Sequence, residues 1–102
     1  MYRLSYLPVA KRDMEDIVNY IAERLAAPQA ALELLENLDE SIARLRDFPY
    51  ACRVYPAVKP MEREYRMLTV KNCPVFYTVN ESDQMVEISR VIYAKRDIDR
   101  QL

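Results

Sequence analysis

Two segments in the N-terminal half of the chain repeat apolar residues at helical spacing. The first begins at Pro8 and ends near Leu25, with charged residues between apolar positions that recur every three to five residues. The second runs from about Pro28 to Arg46 and follows an i, i+3, i+4, i+7 pattern of alanine, leucine and isoleucine. Pro28 separates them because proline disfavours helical geometry in the residue before it. The pattern therefore predicts two amphipathic helices that form an antiparallel hairpin.

The other segments have the composition of β-strands. Tyr2–Leu7 is short and rich in aromatic and apolar residues, and three later runs are rich in Val, Ile, Tyr and Phe: Glu64–Val70, Pro74–Asn80 and Met85–Tyr93. The last three have connections of hairpin length, which predicts an antiparallel meander with the first strand in the same sheet. We therefore expect one α+β domain over residues 1–102, in the order β-α-α-β-β-β, with the hairpin covering one face of the sheet.

Strand alternation places an arginine on a largely apolar face in two of these strands. Arg90 shares a predicted face with Val86 and Ile88, and Arg66 shares one with Leu68. An unpaired guanidinium is costly in such a place, which leaves two interpretations. In the first, a carboxylate pairs with either arginine and fixes the register; it comes from a helix or from the glutamate two positions before Arg66. In the second, both arginines bind an anionic carboxylate or phosphate partner in a cleft above the sheet.

The last predicted strand ends in a tyrosine that two cations follow. Tyr93, Lys95 and Arg96 fit an ordinary aromatic strand end with a solvated tail. They also fit a small cationic and aromatic surface that would bind RNA or an acidic protein segment. The sequence leaves both interpretations open.

The chain contains neither histidine nor glycine. Without histidine, the two cysteines cannot form an ordinary zinc site, and without glycine no phosphate-binding glycine loop or glycine elbow exists. We therefore expect no metal and no cofactor. Turns that need a positive φ are expected to use Asn72, Asn80 or Asp83.

The sequence also predicts a cellular location, and its net charge bears on whether the protein binds nucleic acid. No signal peptide and no membrane span are expected, and Cys52 and Cys73 are expected to be reduced thiols in the cytoplasm, with a disulfide between them as the alternative. The net charge of −1 does not indicate a surface built for many phosphate contacts.

Over nearly its whole length the chain resembles the RelE/ParE superfamily of toxins from bacterial type II toxin–antitoxin modules. The segments that carry the resemblance are the opening strand, A-K-R-D-M-E-D-I-V-N-Y-I at Ala10–Ile21, L-R-D-F-P at Leu45–Pro49, E-Y-R-M-L-T-V at Glu64–Val70, V-F-Y-T-V at Val75–Val79 and R-V-I-Y-A-K-R-D at Arg90–Asp97. The resemblance implies a helical hairpin on a curved antiparallel sheet. It also implies growth inhibition in a stress response, and a cognate antitoxin whose C-terminal segment wraps the toxin and through which the complex binds operator DNA.

The superfamily has two known targets: RelE-like members cut mRNA in the ribosomal A site, and ParE-like members poison DNA gyrase. The RelE-like pattern has an arginine where this chain has Pro74, a histidine where it has Tyr93, and a tyrosine or histidine near the C-terminus, which here is R-Q-L. Arg66, Arg90 and Arg96 are retained for phosphate binding. General base and acid could come only from Tyr93, Lys95 or Glu64.

These departures favour a toxin that acts by ParE-like binding to gyrase. The alternatives are a RelE-like ribosome-dependent mRNA endoribonuclease and an inactive homologue that only binds its antitoxin. The predicted binding face comprises Arg66, Arg90, Tyr93, Lys95 and Arg96; in a nuclease, the catalytic residues would be Arg66, Arg90, Tyr93 and Arg96.

Overall fold

A proline is the first residue of both helices of the hairpin, where its missing N–H costs the helix no hydrogen bond. The computed structural model describes residues 1–56 and 63–94. Helix α1 spans Pro8–Asn19 and continues into a π-helical turn at Tyr20–Arg24. Helix α2 spans Pro28–Ala43 and ends in a 3₁₀ turn at Arg44–Arg46. Both predicted helices are therefore present close to their predicted bounds.

The four predicted strands form one sheet in the order β1-β4-β3-β2. Their bounds are Arg3–Tyr6 for β1, Arg66–Val70 for β2, Cys73–Asn80 for β3 and Met85–Val91 for β4. The meander of β2, β3 and β4 is antiparallel as predicted. Strand β1 lies parallel to β4, so the sheet is mixed. The predicted α+β class and element order are confirmed.

The apolar stripes of both helices pack on one face of this sheet. The residues of the core that are fully buried include the following: Ala10, Leu38, Ile42, Cys73, Val75, Tyr77, Val86 and Ile88. Tyr77 is the largest of them, and its hydroxyl donates a hydrogen bond to the carbonyl oxygen of Pro49 at 2.9 Å. A buried tyrosine hydroxyl needs such a partner, so Tyr77 ties the sheet to the segment after α2.

A β-bulge in β4 changes which residues face this core. Arg90 pairs with Phe76, whereas Ile88 pairs with the adjacent residue Tyr77, so Ser89 has no opposite residue. An extra residue on one strand interrupts alternation and shifts every later side chain to the other face. The single alternation predicted for this strand is therefore wrong beyond Ile88.

The bulge puts Val91, not Arg90, on the core face. Val91 is buried together with Val86 and Ile88, while Arg90 is exposed beside Phe76 on the opposite face. The prediction that Arg90 lies among the apolar positions is thus corrected, because hydrogen-bond register with β3 overrides the alternation of the sequence. Arg66 does lie on the core face, since it pairs with the buried Tyr77.

Ordinary side chains occupy the left-handed backbone conformation in a chain that has no glycine. Within residues 1–56 and 63–94, positive φ occurs at Ala26 between the helices (50°), Lys71 between β2 and β3 (55°) and Gln84 between β3 and β4 (49°). The asparagine and aspartate positions that the sequence favoured are not used in this way. A Cβ atom makes this conformation unfavourable, so all three turns carry local strain.

We predict that Ala26→Gly stabilises the protein while Ala30→Gly destabilises it. Ala26 has a positive φ, where glycine has no steric penalty, and the free energy of unfolding should rise by about 0.5–1 kcal/mol. Ala30 is an exposed residue inside α2, where glycine should lower the free energy by about 0.5–1 kcal/mol. Urea denaturation of both variants would test this, and equal effects of the two substitutions would contradict it.

Candidate functional site

Asp13 of α1 fixes the position of Arg90 at the end of β4. The two side chains form a bidentate pair, with Nε to Oδ2 at 2.7 Å and Nη2 to Oδ1 at 3.1 Å. The same carboxylate accepts the backbone N–H of Val91 at 3.0 Å. The Asp13 side chain is 14% exposed and that of Arg90 is 52% exposed. A helix carboxylate therefore pairs with this arginine, as the first of the two interpretations from sequence proposed.

The Asp13 carboxylate accepts a backbone hydrogen bond at the edge of β4 beyond the end of β1, where a neighbouring strand would otherwise supply the acceptor. Strand β1 ends at Tyr6, and the last backbone hydrogen bond on that side of β4 runs from the N–H of Leu7 to the carbonyl of Ile88 at 3.0 Å. Beyond it, the N–H of Val91 would lack a partner at a buried position. Asp13 supplies that acceptor, so the end of β4 and the orientation of Arg90 depend on one side chain.

Arg90 lies at the edge of a groove on the face of the sheet that the helices leave open. The groove has a volume of about 350 Å³ and is lined by Leu7, Val9, Tyr55, Tyr65, Phe76, Ser89 and Arg90. We call it the open-face groove. The rings of Tyr55 and Phe76 meet edge to face with centroids 5.1 Å apart. Its lining is apolar and aromatic, so it suits a flat ring or an apolar side chain with a negative charge near Arg90.

Arg66 lies on the other face of the sheet and contacts the segment that follows α2. Its Nη1 donates to the carbonyl oxygen of Cys52 at 2.7 Å, and its guanidinium carbon lies 4.9 Å from the centre of the Tyr50 ring. This cation–π contact and the hydrogen bond hold the partly buried guanidinium in place. Arg66 therefore has a structural role in anchoring the segment.

Tyr50 also belongs to a cluster at the far end of the sheet. The hydroxyls of Tyr2 and Tyr50 both donate to Oε1 of Glu81, in the turn between β3 and β4. We call these residues the Tyr2–Glu81–Tyr50 cluster. The two hydrogen bonds lower the pKa of Glu81, and the bond to Glu81 is the main cause that raises the pKa of Tyr50 to about 12. The cluster ties the N-terminus, the β3–β4 turn and the segment after α2 together.

Tyr93 lies at a third location, near the connection between the helices. Its ring meets Tyr20 edge to face at a centroid distance of 6.1 Å, and the next residue donates its N–H to the carbonyl of Asn72 at 3.1 Å. Lys95 and Arg96 lie outside the described residues. The structure thus separates Arg66, Arg90 and Tyr93 instead of bringing them together on one face. Their predicted functional role stays a prediction.

The segment after α2 gathers exposed aromatic residues that the sequence interpretation missed. We call residues 48–55, F-P-Y-A-C-R-V-Y, the aromatic loop. Four of the seven large apolar side chains that are exposed in the described part of the chain belong to it: Phe48, Tyr50, Val54 and Tyr55. The available signal was a run of three aromatic residues with only one charge, next to proline, in a segment without helix or strand periodicity.

Neither cysteine forms a disulfide in this structure. Cys52 and Cys73 are free thiols, and burial raises the pKa of Cys73 to about 11. Within residues 1–56 and 63–94, no group of three or more Cys, Asp or Glu side chains is arranged to hold a metal ion. No helix in the same ranges is both long and apolar enough to cross a bilayer.

A family model of known proteins matches almost the whole chain. Residues 4–98 match the family model described as the ParE toxin of type II toxin-antitoxin system, parDE. No curated protein sequence gives a significant match.

Several solved structures share the fold at low sequence identity. A chain of the chromosomal ParDE TA system from P. aeruginosa is 20% identical with a TM-score of 0.72, over 91% of this chain and 96% of that one. A metal-bound toxin from Helicobacter pylori is 14% identical with a TM-score of 0.66, over 94% and 98%. The isolated E. coli RelE toxin is 13% identical with a TM-score of 0.59, over the full length of both chains.

We predict that Asp13→Ala lowers the free energy of unfolding by about 1–3 kcal/mol, because it leaves the Val91 N–H without its acceptor at a buried position. Asp16→Ala is the matched control, since Asp16 is exposed on the same helix. Denaturant titration of both variants measures the difference. Amide hydrogen exchange at Val91 should accelerate only in the Asp13 variant, and unchanged exchange would contradict the proposed role of the carboxylate.

We predict that the stabilising effect of the Tyr2–Glu81–Tyr50 cluster disappears in acid. The pKa of Glu81 is lowered in the folded state, so its contribution is complete above the ordinary carboxyl pKa and is lost as pH falls through the lowered value. Glu81→Gln should therefore lower stability at neutral pH and make little difference at an acidic pH below the lowered pKa of Glu81, where the wild-type carboxyl is protonated as well. Urea midpoints at both pH values test this, with the exposed Glu36→Gln as control. A constant difference between wild type and Glu81→Gln would refute it.

Proposed function

The chain belongs to the ParE family of toxins from type II toxin–antitoxin systems, and from this membership we propose that it arrests bacterial growth by binding DNA gyrase in the cytoplasm. A cognate antitoxin neutralises it in this proposal. The P. aeruginosa structure of similar fold is of a ParDE TA system, which supports such a partner.

The position of the two arginines is the observation that favours gyrase over RNA cleavage. Phosphate cleavage needs cationic donors that converge on one phosphate, together with a base and an acid. Arg66 lies on the core face beside Tyr77, and Arg90 lies on the opposite face beside Phe76. Because the sheet separates them, they cannot hold the same phosphate group.

The contacts of each arginine support the same conclusion. The guanidinium of Arg66 is held by the carbonyl of Cys52 and by the ring of Tyr50. That of Arg90 is held in a bidentate pair by Asp13. A toxin that acts by occupying a protein surface needs neither a phosphate clamp nor a proton donor.

The open-face groove favours one alternative, a ribosome-dependent mRNA endoribonuclease. Tyr55, Tyr65 and Phe76 offer aromatic surfaces on which a base could stack, with Arg90 at the edge. Among the described residues that line this groove there is no carboxylate and no imidazole to act as a general base. The groove alone therefore supports RNA contact better than RNA cleavage.

We predict that expression of the chain alone stops bacterial growth and that co-expression with the small open reading frame adjacent to its gene restores growth. The purified protein should inhibit supercoiling by gyrase, and arrested cells should accumulate double-strand breaks. Arg90→Ala should weaken the arrest, with Arg24→Ala, an exposed arginine at the far end of the first helical segment, as control. Melting curves must accompany both variants, because Arg90 also pairs with Asp13.

Three outcomes would redirect the proposal. Cleaved mRNA with intact chromosomal DNA would favour the endoribonuclease. Normal growth with retained binding of the adjacent gene product would favour an inactive homologue that only binds its antitoxin. Growth arrest without an effect on supercoiling or mRNA would exclude both toxic mechanisms.

A further inference from the structure

The aromatic loop has the composition of a protein-binding surface. Its eight residues contain three aromatic side chains and one arginine, and they contain no lysine, aspartate or glutamate. The cores of protein interfaces are enriched in aromatic residues and arginine and depleted in the other charged residues. Phe48 is 66% exposed, although the domain has a hydrophobic core in which such a side chain could be buried. Its exposure is unexplained by the stability of the fold.

The backbone of the aromatic loop is held in place along its whole length. The carbonyl of Pro49 accepts the hydroxyl of Tyr77, and the carbonyl of Cys52 accepts the guanidinium of Arg66. Near the end of the loop, the carbonyl of Arg53 accepts the N–H of Met67 at 3.3 Å. The loop therefore runs beside β2 for part of its course.

Two further contacts complete this anchoring. The N–H of Tyr55 donates to the carbonyl of Tyr65 at 2.7 Å, and the hydroxyl of Tyr50 belongs to the Tyr2–Glu81–Tyr50 cluster. A fixed backbone with exposed aromatic side chains loses little conformational entropy when it binds, which favours affinity. The loop is thus preorganised.

Charge around the aromatic loop indicates an acidic partner. Arg53 lies within the loop, and Arg44 and Arg46 are exposed just before it. The exposed Asp47 offsets one of these three positive charges, so residues 44–55 carry a net charge of +2. Arg63, beyond the loop, is already paired with a carboxylate of β4. Such a surface accelerates association with negatively charged proteins. It contains too few cations to follow the backbone of single-stranded RNA, for which a continuous basic groove is typical.

The shape of the loop indicates a folded partner. Extended or helical peptide segments bind in grooves or along sheet edges, and the described residues offer the open-face groove for such a segment. Phe48 instead projects into solvent from a rigid loop, which complements a concavity on a folded protein. The loop is therefore expected to contact a folded target protein, whereas an antitoxin segment that wraps the toxin would bind in a groove.

We propose that the aromatic loop is the surface by which this toxin docks on an acidic concavity of its folded target, with Phe48 as the apolar anchor and Arg53 as the charged contact. This inference rests on the proposed function, in which the target is gyrase. The antitoxin segment is expected to bind in the open-face groove, whose lining includes Tyr55 but neither Phe48 nor Arg53. Substitutions at Phe48 and Arg53 should therefore separate toxicity from neutralisation.

The test uses Phe48→Ser and Arg53→Glu in the full chain, with Arg53→Lys and Leu32→Ser as matched controls. Leu32 is 50% exposed on α2, away from the loop, so its substitution removes a comparable apolar side chain. Inhibition of gyrase supercoiling should weaken at least about tenfold for each of the two loop variants, a loss typical of interface hot spots. The controls should inhibit like the wild type, and all four variants should keep wild-type melting temperatures and co-purify with the antitoxin.

The other outcomes bear on the inference in distinct ways. Loss of antitoxin binding with full gyrase inhibition would assign the loop to the antitoxin. Weaker binding of a fluorescent single-stranded oligouridine by the loop variants, with unchanged gyrase inhibition, would assign it to RNA. If wild type does not inhibit gyrase, the proposed function fails, and growth arrest in cells then decides the inference separately. Undiminished arrest by both loop variants would overturn it, whereas lost arrest with intact antitoxin binding would support docking on another folded target.

Discussion

The carboxylate of Asp13 completes a hydrogen-bonding edge that the sheet itself leaves unfinished. Strand β1 is only four residues long, and β4 extends beyond it. Where β1 stops, the chain turns into α1, which carries Asp13 back to the open edge of β4. One side chain thereby satisfies a buried backbone N–H and orients a guanidinium. The arrangement requires the helix, the end of β1 and the bulge at Ser89 to be in place together.

The bulge separates two arginines that strand alternation in the sequence would align on one face. With uninterrupted alternation, Arg66 and Arg90 would both face the core and would form one cationic cleft. The extra residue moves Arg90 to the open face, where it borders an aromatic groove. Each guanidinium then receives its own partner, a carbonyl and an aromatic ring in one case and a carboxylate in the other. The sheet therefore presents two different surfaces in place of one phosphate clamp.

The aromatic loop shows how a chain without glycine makes a rigid irregular segment. Its order comes from side chains of the sheet, chiefly the hydroxyl of Tyr77 and the guanidinium of Arg66, which bind loop carbonyls. The sharp turns elsewhere use Ala26, Lys71 and Gln84 at positive φ. These partners lie far from the loop in sequence, so local propensity could not indicate that the loop is ordered or that its aromatic residues stay exposed.

The sequence by itself determined the helices, the strands and their order, because helical and strand periodicity are local properties of the chain. It also determined that the chain has no histidine for a zinc site and no glycine for a phosphate-binding loop. It indicated that a carboxylate on a helix was one possible partner for a strand arginine. Only the tertiary structure decided that β1 is parallel to β4, that β4 contains a bulge and that the carboxylate is Asp13. The physical reason is that strand register is set by hydrogen bonds to a neighbouring strand. A shift of one residue in that register moves a side chain such as Arg90 to the opposite face without any change in its own sequence.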